Sequence, residues 1–292
     1  MSKKQKRILW PVLMLIAIGV GGLVFATSRK DSESKTTTKA VSSQPNSPYL
    51  QTAAAANEND YVRSARLWPQ LRWHLKTLGD RIEKPGKERV IITGTIKRAG
   101  DSQALPMALV LEYPERLRLV IQDGVQQRVI TFNGREANGV GAPPNARERE
   151  LIETLVYDTA EHFLASQTQG AAMRILGQRF RADDGTTPNY AGPYYDLYEV
   201  SDQIKAAPDA RTQSKVFYFD SDTLLLQKVR YQILRNGAPV EVETRIANWQ
   251  RTQGQQVPRR ITRFENNEAV LALTITSLAM TPRVDDGSFG QP

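Results

Sequence analysis

The chain has 292 residues, 40% hydrophobic and 24% charged, with 19 Gly and 16 Pro, which is the composition of a globular protein with appended segments. Collagen-like, wholly disordered and multi-span membrane chains are thereby excluded. With no Cys and only His74 and His162 as imidazoles, thiolate zinc sites, cysteine nucleophiles, iron–sulfur clusters and disulfides are excluded too.

The net charge is +8, but six of the 39 Lys and Arg (Lys3, Lys4, Lys6, Arg7, Arg29, Lys30) stand in the first thirty residues without an acid. Taking those six away leaves 33 bases against 31 acids, so the body is near neutral. A nucleic-acid binder carries its basic patch on the folded domain itself, and no nucleic-acid partner is expected.

Residues 1–7 form a basic tip, and Ile8 to Ala26 then run without a charge. At ~1.5 Å per residue this stretch spans about 28 Å, close to a hydrocarbon core. The bases before it place the N-terminus in the cytoplasm and the rest outside. Trp10 suits the interface, and Pro11 suits a first helical turn. The alternative is a cleaved secretory signal ending at Val24-Phe25-Ala26, with release of the body to the periplasm. An apolar run longer than ~7–15 residues favours a retained anchor in the inner membrane. No Cys follows to accept a lipid. Residues 27–59, rich in Ser, Thr, Asn and Ala, read as a flexible tether of roughly 30 Å.

Residues 60–292 read as one extracytoplasmic domain. Asp60 to Ile82 is expected to be helical, with Leu67, Leu71, His74, Leu75 and Leu78 on one stripe and Gly79 as its stop. His74 has no second ligand at metal spacing and reads as a packing histidine. Strands follow. Leu117, Leu119 and Ile121 alternate with Arg116, Arg118 and Gln122. Leu225, Val229, Tyr231 and Ile233 oppose Lys228, Arg230 and Gln232. Val240, Val242 and Ile246 oppose Glu241, Glu243 and Arg245, and Leu271, Leu273 and Ile275 oppose Thr274 and Thr276. This period of two marks antiparallel sheet with one dry and one wet face. Further strands are expected at 90–97, 104–113, 127–132, 173–181, 194–200, 215–220 and 258–265. The turns between them include Asp123-Gly, Asn133-Gly, Asp220-Ser-Asp, Asn236-Gly and Asn266-Asn.

One helix interrupts the strands. Asn145 with Glu148 forms a capping box. Apolar pairs then recur every four residues from Leu151/Ile152 to Phe163/Leu164, up to Gln169. Asp158-Thr-Ala-Glu161 is a second capping signature and predicts a break near Tyr157. The fold class expected is therefore mainly β with a helical lid (α+β): about ten strands whose dry face is covered by two helices.

This order of elements resembles the outer-membrane lipoprotein-sorting family, the LolA/LolB-like periplasmic carriers and receptors. The resemblance is carried by Tyr113-Pro-Glu-Arg-Leu-Arg before a strand, Phe132-Asn-Gly-Arg, the mid-chain helix, Phe219-Asp-Ser-Asp-Thr-Leu-Leu-Leu-Gln-Lys-Val at a hairpin, and Gly254-Gln-Gln-Val-Pro-Arg-Arg-Ile. It covers roughly residues 60 to 282. It implies a curved antiparallel sheet forming an unclosed β-barrel, whose concave apolar face holds acyl chains under the helices. The apolar N-terminal segment departs from a freely shuttling carrier.

Other motifs lead elsewhere. Val216-Phe-Tyr-Phe-Asp-Ser-Asp-Thr-Leu resembles a haloacid-dehalogenase nucleophile loop, but the following residues alternate as a strand and leave no room for the helix that chemistry needs. Asp183-Asp184-Gly185 and Asp285-Asp286-Gly287 read as turns, and Gly139-Val-Gly141 lacks the third Gly of a dinucleotide loop. His162 reads as a solvated helix flank, and no Ser-His-Asp set has a recognisable spacing. The expectation is a non-enzymatic, single-pass envelope protein without cofactor or metal, whose partners are the membrane, a lipid or lipoprotein ligand and other envelope proteins. Leu117, Leu119, Ile121, Val229, Tyr231, Leu271 and Leu273 are expected to line the ligand cavity. The alternatives are an envelope stress sensor of the same fold acting through protein contacts, and a hydrolase.

Overall fold

A computed structural model of the chain describes residues 62–63, 71, 74, 76–78, 88–113, 116–140, 143–168, 172–182, 188–202, 213–252, 254–284 and 289. The basic tip, the apolar run 8–26 and the tether 27–59 lie outside the described residues. Among the described residues, no helix is long and apolar enough to cross a membrane.

Among the described residues thirteen strands form one antiparallel sheet. They are β1 (Val62–Arg63), β2 (Glu88–Arg98), β3 (Leu105–Glu112), β4 (Arg116–Asp123), β5 (Gln126–Phe132), β6 (Ala137–Gly139), β7 (Ala172–Arg181), β8 (Tyr194–Asp202), β9 (Gln213–Asp220), β10 (Leu226–Arg235), β11 (Ala238–Ala247), β14 (Arg260–Glu265) and β15 (Glu268–Pro282). A small hairpin of β12 (Gln250–Thr252) and β13 (Gln255–Val257) stands apart. The main order is β1-β7-β8-β9-β10-β11-β14-β15-β2-β3-β4-β5-β6. The long strand β15 carries the chain's end back beside β2 and so joins the two halves. The edge strands β1 and β6 do not pair with each other, and the curved sheet stays open.

The residues explain the joins. Asn236 and Gly237, both at positive φ (51° and 79°), turn β10 into β11 as a tight hairpin requires. Asp220 ends β9 by accepting hydrogen bonds from the Asp222 and Thr223 amides at 3.0 and 2.6 Å. The aspartate pair that resembles a phosphatase motif is thus a hairpin turn. β15 shifts register between Ile275 and Ser277 beside Gly94 of β2. A Cβ on Gly94 would lie 1.9 Å from the Thr274 carbonyl oxygen, so the strands meet there only because the position is glycine.

The helices α1 (Ala146–Tyr157) and α2 (Ala160–Thr168) lie in sequence between the two halves of the sheet, with the expected break between them. The second cap is one residue later than the sequence pattern predicts. Thr159 Oγ1, not Asp158, accepts from the His162 amide at 3.1 Å. Leu71, His74, Lys76, Thr77 and Leu78 are helical, with Leu71 and Leu78 fully buried. The expected helix from Asp60 is corrected at its start: Val62–Arg63 is a strand paired with Met173 and Ala172. Pairing across the sheet edge overrides a helical period that two residues cannot enforce.

The dry face is two cores rather than one. The first joins β2–β6, β15 and α1 through residues such as Ile96, Leu109, Leu119, Ile130, Leu155 and Leu273. The second joins β7–β11, α2 and the Leu71–Leu78 segment, with Phe163, Tyr198, Phe217 and Phe219 at mutual ring distances of 4.9–5.8 Å. Nor is the opposite face wet throughout. Tyr195, Leu197, Val216 and Tyr218 are buried there as a third cluster.

A polar seam adjoins both cores where α1 meets α2. Asp158, 1% exposed, accepts from Lys215 Nζ at 2.7 Å, Tyr231 Oη at 3.1 Å and Thr244 Oγ1 at 2.6 Å. Arg263, also 1% exposed, donates to Thr154 Oγ1, to Tyr231 Oη at 3.3 Å and to Glu265 Oε1 at 3.0 Å. A carboxylate this buried is tolerable only because its charge and lone pairs are all engaged. Asp158→Asn leaves the Lys215 ammonium without its counter-charge and is expected to cost about 3–5 kcal/mol, a fall in melting temperature on the order of 10 °C. Adding Lys215→Met should restore most of it. If the single variant melts like the native protein in a calorimeter, the seam is not what holds the helix pair.

His74 fastens the N-terminal helical segment to the second core. Its ring packs on Phe219 at 4.5 Å, Nδ1 donates to the Leu224 carbonyl at 3.3 Å and Nε2 accepts from Tyr198 Oη at 3.1 Å. Burial pushes the imidazole below its ordinary 6.5, against the pull of Asp196 3.4 Å away. A base held low in the fold binds fewer protons than the unfolded chain. Its contribution is therefore complete above pH 6.5 and drains away as pH falls from there toward the folded value. The melting temperature should be lower at pH 5 than at pH 7.5, and His74→Gln should flatten part of that difference. An unchanged slope in the variant would show that other groups carry it.

Candidate functional site

α1 begins where the sequence dictates. Asn145 Oδ1 accepts from the Glu148 amide at 2.8 Å, and Glu148 Oε2 accepts from the Asn145 amide at 3.1 Å, a complete capping box. The helix so fixed lays Leu151, Ile152, Leu155 and Val156 on the first core. Burying each contributes about 1.5–3 kcal/mol.

Between α1 and the sheet remains a cavity of about 20 Å³, room for roughly one water. Ile96, Leu119, Ile121, Ile130 and Leu271 line it from the sheet, and Leu151, Ile152 and Leu155 from the helix, with Arg98 and Glu148 as its polar members. Drug-sized ligands occupy ~300–1,000 Å³, so with α1 in place the cleft is too small for one.

Ion pairs tie the polar side of α1 down. Glu148 meets Arg128 of β5 at 2.7 Å and Arg98 of β2 at 3.7 Å. Glu150 meets Arg235 of β10 at 2.8 Å and Arg263 of β14 at 2.6 Å. Arg147 reaches Glu265 of β14 at 2.6 Å, and Arg235 reaches the same carboxylate at 2.7 Å. Burial pushes the Glu265 carboxyl up, but the hydrogen bonds from Arg235 and Arg147 outweigh it and hold it at about 2. Burial raises the neighbouring Glu153 carboxyl. The Glu148 pairs with Arg98 and Arg128 are partly exposed, and such pairs each contribute little, about 0–1 kcal/mol, so their charges can exchange partners at low cost, whereas Arg263 and Glu265 are buried.

The seven residues expected to line a cavity divide. Leu119, Ile121 and Leu271 do line the cleft, and Leu117 and Leu273 pack fully buried in the same core. Val229 and Tyr231 belong to the second core, and the Tyr231 hydroxyl is spent on Asp158 and Arg263. His162 is not a solvated flank: its ring packs on Tyr157 at 4.8 Å, and Nε2 lies 3.2 Å from Ser166 Oγ. Sequence reasoning passed over Arg98, Arg128, Lys215, Thr244 and Arg263. Each stands at a dry-face parity position of its strand, Arg128 two residues before Ile130 and Lys215 two before Phe217. A polar side chain in apolar phase was the available signal. Among the described residues no group of three His, Cys, Asp or Glu could hold a metal ion.

No family model and no curated protein matches the chain. Solved structures similar to it include a LolA superfamily protein from Nitrosomonas europaea, 13% identical, covering 74% of this chain and 96% of that one with a TM-score of 0.47. A DUF1329 family protein from Desulfovibrio piger is 10% identical over 76% and 96%, also at 0.47. An outer membrane lipoprotein-sorting protein domain from Vibrio parahaemolyticus is 10% identical over 80% and 97%, at 0.46.

Proposed function

We propose that this protein binds an acyl chain of a lipid or lipoprotein between α1 and the first core, without covalent chemistry. On this reading it works outside the cytoplasmic membrane, held there by residues 8–26. The observation that carries it is the cleft itself: aliphatic walls on both sides, lying under a helix whose polar side is fastened by exchangeable ion pairs. Among the described residues the second core is instead filled by aromatic rings, with the seam pinning α2 beside it.

In this mechanism α1 lifts, its ion pairs exchange to water, and the acyl chain takes the place of Leu151, Ile152 and Leu155 against Leu119 and Leu271. Asp158 keeps the far end of the helix fixed, so the motion is a hinge and not a release.

Two outcomes test it. The intact mass and N-terminal sequence of protein recovered from membranes should show that the apolar segment 8–26 is retained. A mature N-terminus at Thr27 in a soluble fraction would replace the anchored reading with a shuttling one. Acyl binding should be seen as photolabelling of α1 and β4 by a diazirine-bearing acyl chain with the full protein in lipid nanodiscs. Leu119→Trp, which fills the cleft at a cost of about 1–3 kcal/mol in stability, should cut that labelling about tenfold. Native protein that takes no label there leaves the protein-contact sensor as the better reading.

A further inference from the structure

Two arginines face into the dry side at one end of the first core. Arg98 follows Ile96 in phase on β2 and pairs with Leu271 of β15. Arg128 precedes Ile130 in phase on β5 and pairs with Ile121 of β4. All four apolar neighbours line the cleft, and Arg98 lines it too. Both guanidinium groups converge on one carboxylate, Glu148 of α1, at 3.7 and 2.7 Å. Glu148 is 18% exposed and Arg128 31%, so the group sits at a mouth and not in the deep interior.

The pairing is unequal. Arg98 keeps a second acid, donating to both carboxylate oxygens of Asp101 at 3.0 and 3.2 Å on its own side of the cleft. Arg128 has Glu148 as its acid, and its Nε is buried with no hydrogen-bond partner among the described residues. A buried donor left unmade is costly, and it marks a place where a further acceptor would fit. When α1 lifts, Glu148 leaves with it. The mouth is then left with two arginines against Asp101, and Arg128 has no counter-charge.

Resting on the acyl-binding reading above, we infer that the ligand is an amphiphile with an anionic oxyanion head group, carboxylate or phosphate, which replaces Glu148 between Arg98 and Arg128. Glu148 is the site's built-in competitor: its carboxylate occupies the head-group position while its helix occupies the acyl position. Head-group binding and helix displacement are therefore one exchange. Guanidinium groups hold planar or tetrahedral oxyanions through paired hydrogen bonds.

The test keeps the chain constant and changes the head. The full protein in lipid nanodiscs is labelled with a diazirine-bearing dodecanol, and labelling of peptides spanning 117–132 and 146–157 is competed with dodecanoate, dodecyl phosphate or dodecanol. Arg128→Gln should raise about tenfold the concentration of either anion that halves the labelling, relative to that of dodecanol on the same variant. Glu148→Gln, which keeps the capping box, should lower that concentration. Each variant is compared with the native chain for the same competitor, so partition into the bilayer cancels, and the anion with the larger shift identifies the head group. If neither Arg128→Gln nor Arg98→Gln shifts the anions, in variants whose melting matches the native protein, the head-group inference is wrong and acyl binding stands. If those peptides take no label in the native chain, the reading beneath it has failed.

Discussion

A single buried carboxylate organises this molecule. Asp158 falls where α1 ends and α2 has not begun, and its own amide closes the last turn of α1 onto the Thr154 carbonyl at 3.1 Å. Its side chain then requires donors, and three adjacent strands supply them: Lys215 from β9, Tyr231 from β10 and Thr244 from β11. Left unpaired, such a charge would cost several kcal/mol, a large share of the net stability of a domain. The helix pair can therefore sit at one place on the sheet. That placement lays α1 over the first core and α2 over the second.

The two cores so divided differ in kind. Around Phe163 the rings of Tyr198, Phe217 and Phe219 pack edge-on or tilted, and His74 adds a fifth ring with two hydrogen bonds into the same region. Large planar groups in fixed mutual geometry do not rearrange by small steps. Under α1 the cleft walls are Leu and Ile, whose contacts are individually weak and non-directional, and an alkyl chain can substitute for them without loss of geometry. On the acyl-binding reading, exchange would therefore be concentrated on one side of the seam.

Much of this was legible in the residues. The period of two marked β4, β10, β11 and β15, seven further strands were expected close to where they stand, the hairpins followed from Asn236-Gly and Asp220-Ser-Asp, and the capping box fixed the start of α1. The division of the dry face was not legible. Lys215 and Thr244 lie 57 and 86 residues from Asp158, and local alternation says which face a residue occupies, not whether a partner awaits it across the sheet. Val229 and Tyr231 were grouped with Leu119 and Leu271 for that reason: the pattern gave the same face to all four, and only the strand order separates them. The strand at Val62–Arg63 was missed because it exists only through pairing with β7.

The position of the charges relative to the seam sets the direction in which α1 can move. At its C-terminal end the helix runs into Asp158, whose bonds are buried and whose exposure to water would leave Lys215 stranded. At its N-terminal end Glu148 meets Arg98 and Arg128 at the rim, where water and salt weaken the pairs. On the acyl-binding reading proposed above, raising the N-terminal end would break these weak pairs first and open the cleft at the Arg98 and Arg128 mouth. Raising the C-terminal end would have to break the strong group first. On that reading, a helix fixed by a buried charge at one end and by rim charges at the other would act as a hinged lid whose free end coincides with the two arginines.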